Sequence, residues 1–172
     1  GRVKSVTATF QGQIGAFEVG PITQSALKGA LHPTVGDGVN VINARFVAKE
    51  AGIQVVEEKS KDARNFKSLL SVKVEAERGT RTVAGAVFEG RDSRIVEIDT
   101  MDIDLRPAKH MVVLAYIDVP GIVGKVGTIL GQNNINIARM EVGRAGKGQQ
   151  AMILLSVDDP VILTCAISGA VA

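Results

Sequence analysis

The sequence predicts an α+β fold in two small domains. Three observations lead there. Up to about residue 105 the chain reads as a strand, two helices and a run of strands. Beyond residue 109 it reads as strand, helix, strand, strand, helix. Between the two, Arg106-Pro107-Ala108-Lys109 breaks the apolar patterning, which sets expected domains of 1–106 and 107–172.

The first domain opens on "VKSVTATFQG", rich in β-branched residues and partly alternating, as a strand requires. Gly20-Pro21 then starts a helical stretch in which Ile22, Ala26, Leu27, Ala30 and Leu31 share one face. His32-Pro33 is expected to end it, because the residue before a proline avoids the α region. A second helix is expected over 39–52, with Val39, Ile42, Phe46 and Val47 on one face and Gly52 at the C-terminal cap. "IQVVEEKS" starts a further strand. "SLLSVKVEAERG" alternates Leu70, Val72, Val74 and Ala76 against Lys73, Glu75 and Glu77, so one face is buried and the other wet. "TRTVAGAVFEG" and "SRIVEIDTMDIDL" read as two more strand-like runs.

In the second domain "HMVVLAYIDV" is a nearly continuous apolar run, as for a central strand. Ile122, Val123, Val126, Ile129 and Leu130 make a helical stripe that Asn133-Asn134 ends. "INIARMEV", a glycine-rich turn at "GRAGKGQ" and "QAMILLSV" form a hairpin. Asp158-Asp159-Pro160 is a good start for a last helix. This order is one strand short of β-α-β-β-α-β, the ferredoxin-like plan. The absent strand belongs beside the first one, which would otherwise show an unpaired edge, so the domain is expected to be C-terminally incomplete.

Composition narrows the function. With 45% hydrophobic residues a packed core is expected and disorder is not. An aromatic share of 3% removes the exposed rings that a nucleic-acid stacking platform needs. Net charge is +2 and the cations are scattered, which also argues against a polyanion partner. The single cysteine, Cys165, sits in "PVILTCAISGAVA" and reads as a small buried hydrophobe, so neither a disulfide framework nor a multi-cysteine metal site is expected. No stretch reaches the roughly 18 apolar residues of a membrane span, and "GRVKSVTATF" lacks the apolar core of a signal peptide.

Catalytic and nucleotide patterns fail. "GRAGKG" and "GKVGT" do not carry the spacing of a phosphate-binding loop or a dinucleotide fingerprint; a hairpin turn accounts for the first, and close packing of a helix on its sheet is expected to account for the second. His32 and His110 stand at element boundaries, where capping roles suffice. Asp99, Asp102 and Asp104 read as a solvated strand face. No catalytic or metal-ligating set is expected.

"YIDVPGIVGKVGTILGQNNINIARM" differs. Residues two apart on a strand share a side, so Tyr116 and Asp118 do. Pro120-Gly121 then turn the chain into a helix whose first N–H groups have no intrahelical partners. A carboxylate beside free backbone donors is what an α-amino acid needs, an acceptor for its ammonium and donors for its carboxylate. Asn136, at the start of the next strand, offers one of each. Two readings stand at this point: a small-molecule site, or Asp118 capping the helix with Asn136 merely starting a strand.

The same stretch, with its D-x-P-G turn and N-I-N-I strand, resembles the ACT domain, a regulatory amino-acid-binding module. The preceding "VGPITQSALKGALHPTVGDGVNVINARFVAKEAGIQVVEEKS" resembles the intervening, allosteric substrate-binding domain of long-form D-3-phosphoglycerate dehydrogenase, and "IVEIDTMDIDLRP" resembles its link into the ACT domain. The resemblance implies the C-terminal regulatory region of a cytoplasmic, NAD-dependent oxidoreductase of serine biosynthesis. The catalytic part and its NAD are not in these residues; this chain is expected to carry no cofactor and no catalysis of its own. It implies allosteric feedback by L-serine bound between ACT domains of neighbouring subunits, in a homo-oligomer built through both domains. By motif, Tyr116 and Asp118 would come from one subunit and Asn136 from the facing one, while the amides around Val119, Pro120, Gly121 and Ile122 hold the carboxylate. Some members have His and Asn in place of Tyr116 and Asp118. Arg94 and Arg106 match basic positions of an anion site in the intervening domain, but Asp102 stands where the best-matched members carry His, and a carboxylate there repels a phosphate. Two other readings compete: the regulatory part of an L-serine dehydratase, whose serine- and histidine-rich opening is missing here, and a ligand-free dimerisation module.

Overall fold

The computed structural model describes residues 1–146 and 148–161. By its internal contacts the chain divides into two compact units, Gly1–Ser93 and Arg94 onward. The fold is α+β: mixed sheets with few helices, in two small domains.

In the first unit β1 (Val3–Gly12) runs between β2 (Gln54–Ser60), parallel to it, and β3 (Ser68–Ala76), antiparallel to it; β4 (Gly79–Phe88) continues on β3. α1 (Gly20–Val35) and α2 (Ala44–Glu50) make the crossover from β1 to β2. Val6 of β1 packs with Leu27, Leu31, Val39, Ala44 and Ala48, and Val72 and Val74 of β3 join them. The opposite face of β1 is polar and satisfied: Ser5 Oγ donates to Glu75 Oε2 at 3.0 Å and Thr9 Oγ1 to Glu58 Oε2 at 3.0 Å. The alternation in β3 holds, with Lys73 and Glu75 paired outward at 2.8 Å.

Three local expectations are corrected. α1 continues through Pro33 to Val35. Proline there forfeits one hydrogen bond in the last, solvated turn, and Gly36 at φ 68 closes the helix by donating its N–H to His32 O. The face expected for 39–52 is also wrong: Val39, Ala44 and Ala48 are buried, whereas Ile42 is 90% and Phe46 66% exposed. Two asparagines decide this. Asn40 Oδ1 accepts the Asn43 N–H at 3.0 Å while Asn43 Oδ1 accepts the Asn40 N–H at 2.7 Å, a reciprocal cap that sets the phase of the turn before α2. Finally, "SRIVEIDTMDIDL" is two strands, β5 (Asp92–Ile98) and β6 (Met101–Leu105), hairpinned at Asp99-Thr100 with Asp99 at φ 54, a conformation that Asp tolerates.

The second unit holds a three-stranded antiparallel sheet of β7 (Met111–Ile117), β9 (Gln150–Val157) and β8 (Ile137–Arg144), in the order β7-β9-β8. α3 (Ile122–Gln132) covers one face, where Ile122, Val126 and Leu130 meet Val112, Leu114, Tyr116, Ile153 and Leu155. The β5–β6 hairpin covers the other, where Ile98, Ile103 and Leu105 meet Met152 and Leu154. β9 is therefore the strand buried from Ala151 to Val157, whereas β7 alternates buried and exposed residues. The near-continuous apolar run of β7 does not make it the most enclosed strand; two sheet neighbours and two covered faces give β9 that place. Gly143 lets β6 cross β8, since a Cβ there would lie 2.7 Å from Ile103 Cδ1 and 3.2 Å from Asp102 O. The glycines of α3 do not serve close packing: a Cβ at Gly124, Gly127 or Gly131 meets nothing within 4 Å among the described residues. Asn134 at φ 56 ends α3, with its N–H on Gly131 O and the Ile135 N–H on Leu130 O, a Schellman motif. The expected last helix beyond residue 161 and Cys165 lie outside the described residues. Among the described residues no helix is long and apolar enough to cross a membrane.

Candidate functional site

The alternation of β7 directs Val112, Leu114 and Tyr116 toward α3. Asp118, next in that register, ends on the same side at the sheet's rim. Its backbone N–H donates to Gln149 O at 2.8 Å, which holds the end of β7 against the β8–β9 hairpin. Gly121 at φ 93 takes the left-handed conformation that aims α3, a position where a side chain would be strained. The first backbone bond of α3 runs from Lys125 N to Gly121 O at 2.9 Å, and no side chain among the described residues caps the helix. The amides of Ile122, Val123 and Gly124 therefore face outward without an intrahelical partner.

These features line an open hollow of about 510 Å³, walled by Tyr116, Asp118, the Val119–Gly124 turn, Val142 and Arg144. Six of the seven residues expected for an amino acid are thus gathered by one chain. Tyr116 is 6% exposed and forms the floor. Burial, and then the Asp118 charge, push its phenol pKa up against the opposing pull of Arg144, so it presents a neutral hydroxyl at pH 7. Asp118 does not cap the helix. Its Oδ2 accepts from Arg144 Nη1 at 3.2 Å.

Asn136 is not in this hollow. It precedes β8, whose far end is Arg144, and its Nδ2 donates to Asp158 Oδ2 at 2.7 Å. Arg144 and Val142 were not anticipated from sequence. The signal was in the hairpin: Arg144 lies opposite Ala151, and Ala151 opposite Tyr116, so strand register alone levels Arg144 with the end of β7. Of the two arginines matched to an anion site, Arg94 Nη1 donates to Asp104 Oδ1 at 2.7 Å, so its charge is locally compensated. Pairing of Ile95 with Leu105 brings Arg94 and Arg106 to the same end of the β5–β6 hairpin. Asp102 and Asp104 are both exposed on β6.

Comparison with known proteins accounts for both units. Residues 1–99 match the D-3-phosphoglycerate dehydrogenase intervening domain, and residues 110–164 match the ACT domain. The chain is 42% identical over 156 residues to a D-3-phosphoglycerate dehydrogenase of Bacillus subtilis, covering 91% of this chain and 30% of that protein. It is 38% identical over 163 residues to one of Archaeoglobus fulgidus, covering 93% and 31%, and 35% identical over 162 residues to one of Synechocystis, covering 94% and 29%. The chain thus spans under a third of the length of these relatives, and nearly all of it is matched. It belongs to the D-3-phosphoglycerate dehydrogenase family, as the regulatory region made of the intervening domain followed by the ACT domain.

Proposed function

We propose that this region senses L-serine and passes its binding to an NAD-dependent enzyme, cytoplasmic in location, that oxidises 3-phosphoglycerate at the entry to serine synthesis. The observation that carries the reading is the hollow at the β7–α3 junction, where one carboxylate faces uncapped helix amides across a space sized for a small molecule. The ammonium of serine binds Asp118, its carboxylate takes the amides of the Val119–Ile122 turn, and Tyr116 forms the floor. Asn136 of a facing subunit closes the site, which would explain why its own chain holds it at the other end of β8. A site shared by two chains links ligand to assembly, and the homo-oligomer is built through both the ACT and the intervening domains. Serine biases activity only by preferring one arrangement of that assembly, a coupling typically of ~1–3 kcal/mol.

Titration calorimetry of this chain with L-serine is the test. Saturable heat is expected, and Asn136→Ala weakens binding by on the order of 1–3 kcal/mol when the facing chain buries its hydrogen bonds to the ligand. Absence of heat at millimolar serine, from a sample that light scattering shows to be dimeric, refutes the reading.

A further inference from the structure

We propose that Arg144 is a latch on the effector site: its guanidinium occupies the Asp118 carboxylate, and an incoming α-amino acid binds by exchanging its ammonium for that guanidinium. The inference rests on the amino-acid reading of this hollow. Among the described residues that wall it, Asp118 is the one acid and Arg144 the one cation. The two stand 3.2 Å apart and neutralise each other. Every other polar group of the described lining residues is uncharged, being a backbone group or the Tyr116 hydroxyl. A ligand ammonium thus has a single anionic partner, and that partner is already taken.

Exposure makes the exchange feasible. The Asp118 side chain is 18% exposed and fixed at the end of β7, whereas the Arg144 side chain is 61% exposed. Arginine can swing into solvent without breaking packing; aspartate cannot leave. Arg144 reaches Asp118 across β9 from the β8 side, while the uncapped amides approach from the α3 side. The ligand carboxylate therefore has its own donors and does not need Arg144. Charge is conserved in the exchange, one cation replacing another on the same carboxylate. A solvent-exposed ion pair is a weak competitor, so the latch sets the effector threshold and does not seal the site.

The test is calorimetry of the 172-residue chain and its Arg144→Met variant with two probes. One is L-serine. The other is 3-hydroxypropanoate, which keeps the carboxylate and hydroxyl of serine but has no ammonium. Arg144→Met is expected to bind L-serine about two- to fivefold more tightly than the parent. It gains nothing for 3-hydroxypropanoate, which cannot take the place of the guanidinium. Binding of serine by the variant alone would support the latch as well. If the parent binds serine and the variant binds it equally or more weakly, the latch is wrong while the effector reading stands. Equal tightening toward both probes also overturns it, because Arg144 would then not act through the ammonium. If neither protein binds serine, both proposals fall.

Discussion

At the residue scale, a side chain's role depends on which partner claims it. Asp118 was legible from sequence as an acceptor at the end of a strand, and the structure keeps it on the side of Tyr116. What the sequence left open was whether it caps α3. It does not, because Arg144 arrives from two strands away and takes it. No local rule brings residues 118 and 144 together; the β8–β9 register does. Glu57 shows the same dependence in the first unit. A hydrogen bond from Thr23 lowers its carboxyl pKa below the ordinary 4.5, burial opposes this, and Arg45 adds to the lowering. A depressed folded value means stability that is fully present above pH 4.5 and lost as pH falls below it. Glu57→Gln is therefore expected to be less stable at neutral pH by on the order of 1 kcal/mol and to match the parent in strong acid. Urea denaturation at several pH values measures this.

At the scale of elements, periodicity located strands and helices better than it located their faces. Four of the five residues of the α3 stripe were read correctly, because Ile122, Val126, Ile129 and Leu130 all pack on one apolar sheet; Val123 instead is 44% exposed. The face of the 39–52 segment was not, because the Asn40–Asn43 cap rephases the chain before α2 and leaves Ile42 and Phe46 in water. Side-chain hydrogen bonds to the backbone override hydrophobic spacing over so short a helix. The glycines of α3 give a prediction at this scale. Gly131 lies inside the helix, and a Cβ there would meet nothing within 4 Å among the described residues. Gly131→Ala is expected to stabilise the second unit by about 0.5–1 kcal/mol, through the conformational freedom removed from the unfolded chain. Thermal denaturation followed by circular dichroism checks it, and a loss of stability would show that something packs on that face.

At the scale of the whole molecule, two compact units on one chain match two different families of domain. Each has its own apolar core, one under α1 and α2 and one under α3. The residues that wall the hollow all belong to the second unit, so the proposed ligand would stabilise that unit. L-Serine at a hundred times its dissociation constant is expected to stabilise that unit by about 2.7 kcal/mol. Hydrogen exchange reads the effect unit by unit. Slowed exchange is expected from Met111 to Val157, with little change in β1 and α1. Equal slowing everywhere would instead mean that the two units open as one.

Sequence by itself determined the fold class and most of the order of elements, and it marked the β7–α3 junction as a candidate site beside a helix-capping alternative, because each follows from local signals: alternation, helical stripes, and a proline–glycine turn after a strand. It also carried the family, through motifs that run along nearly the whole chain. Tertiary structure alone decided which strand is most enclosed, which groups share the hollow and which carboxylate is already paired. Those depend on strand register and on what covers each face, and both are set by residues far apart in sequence. Arg144 is the clearest case. It is an ordinary hairpin arginine in the sequence, and its contact with Asp118 exists only because β9 lies between β7 and β8.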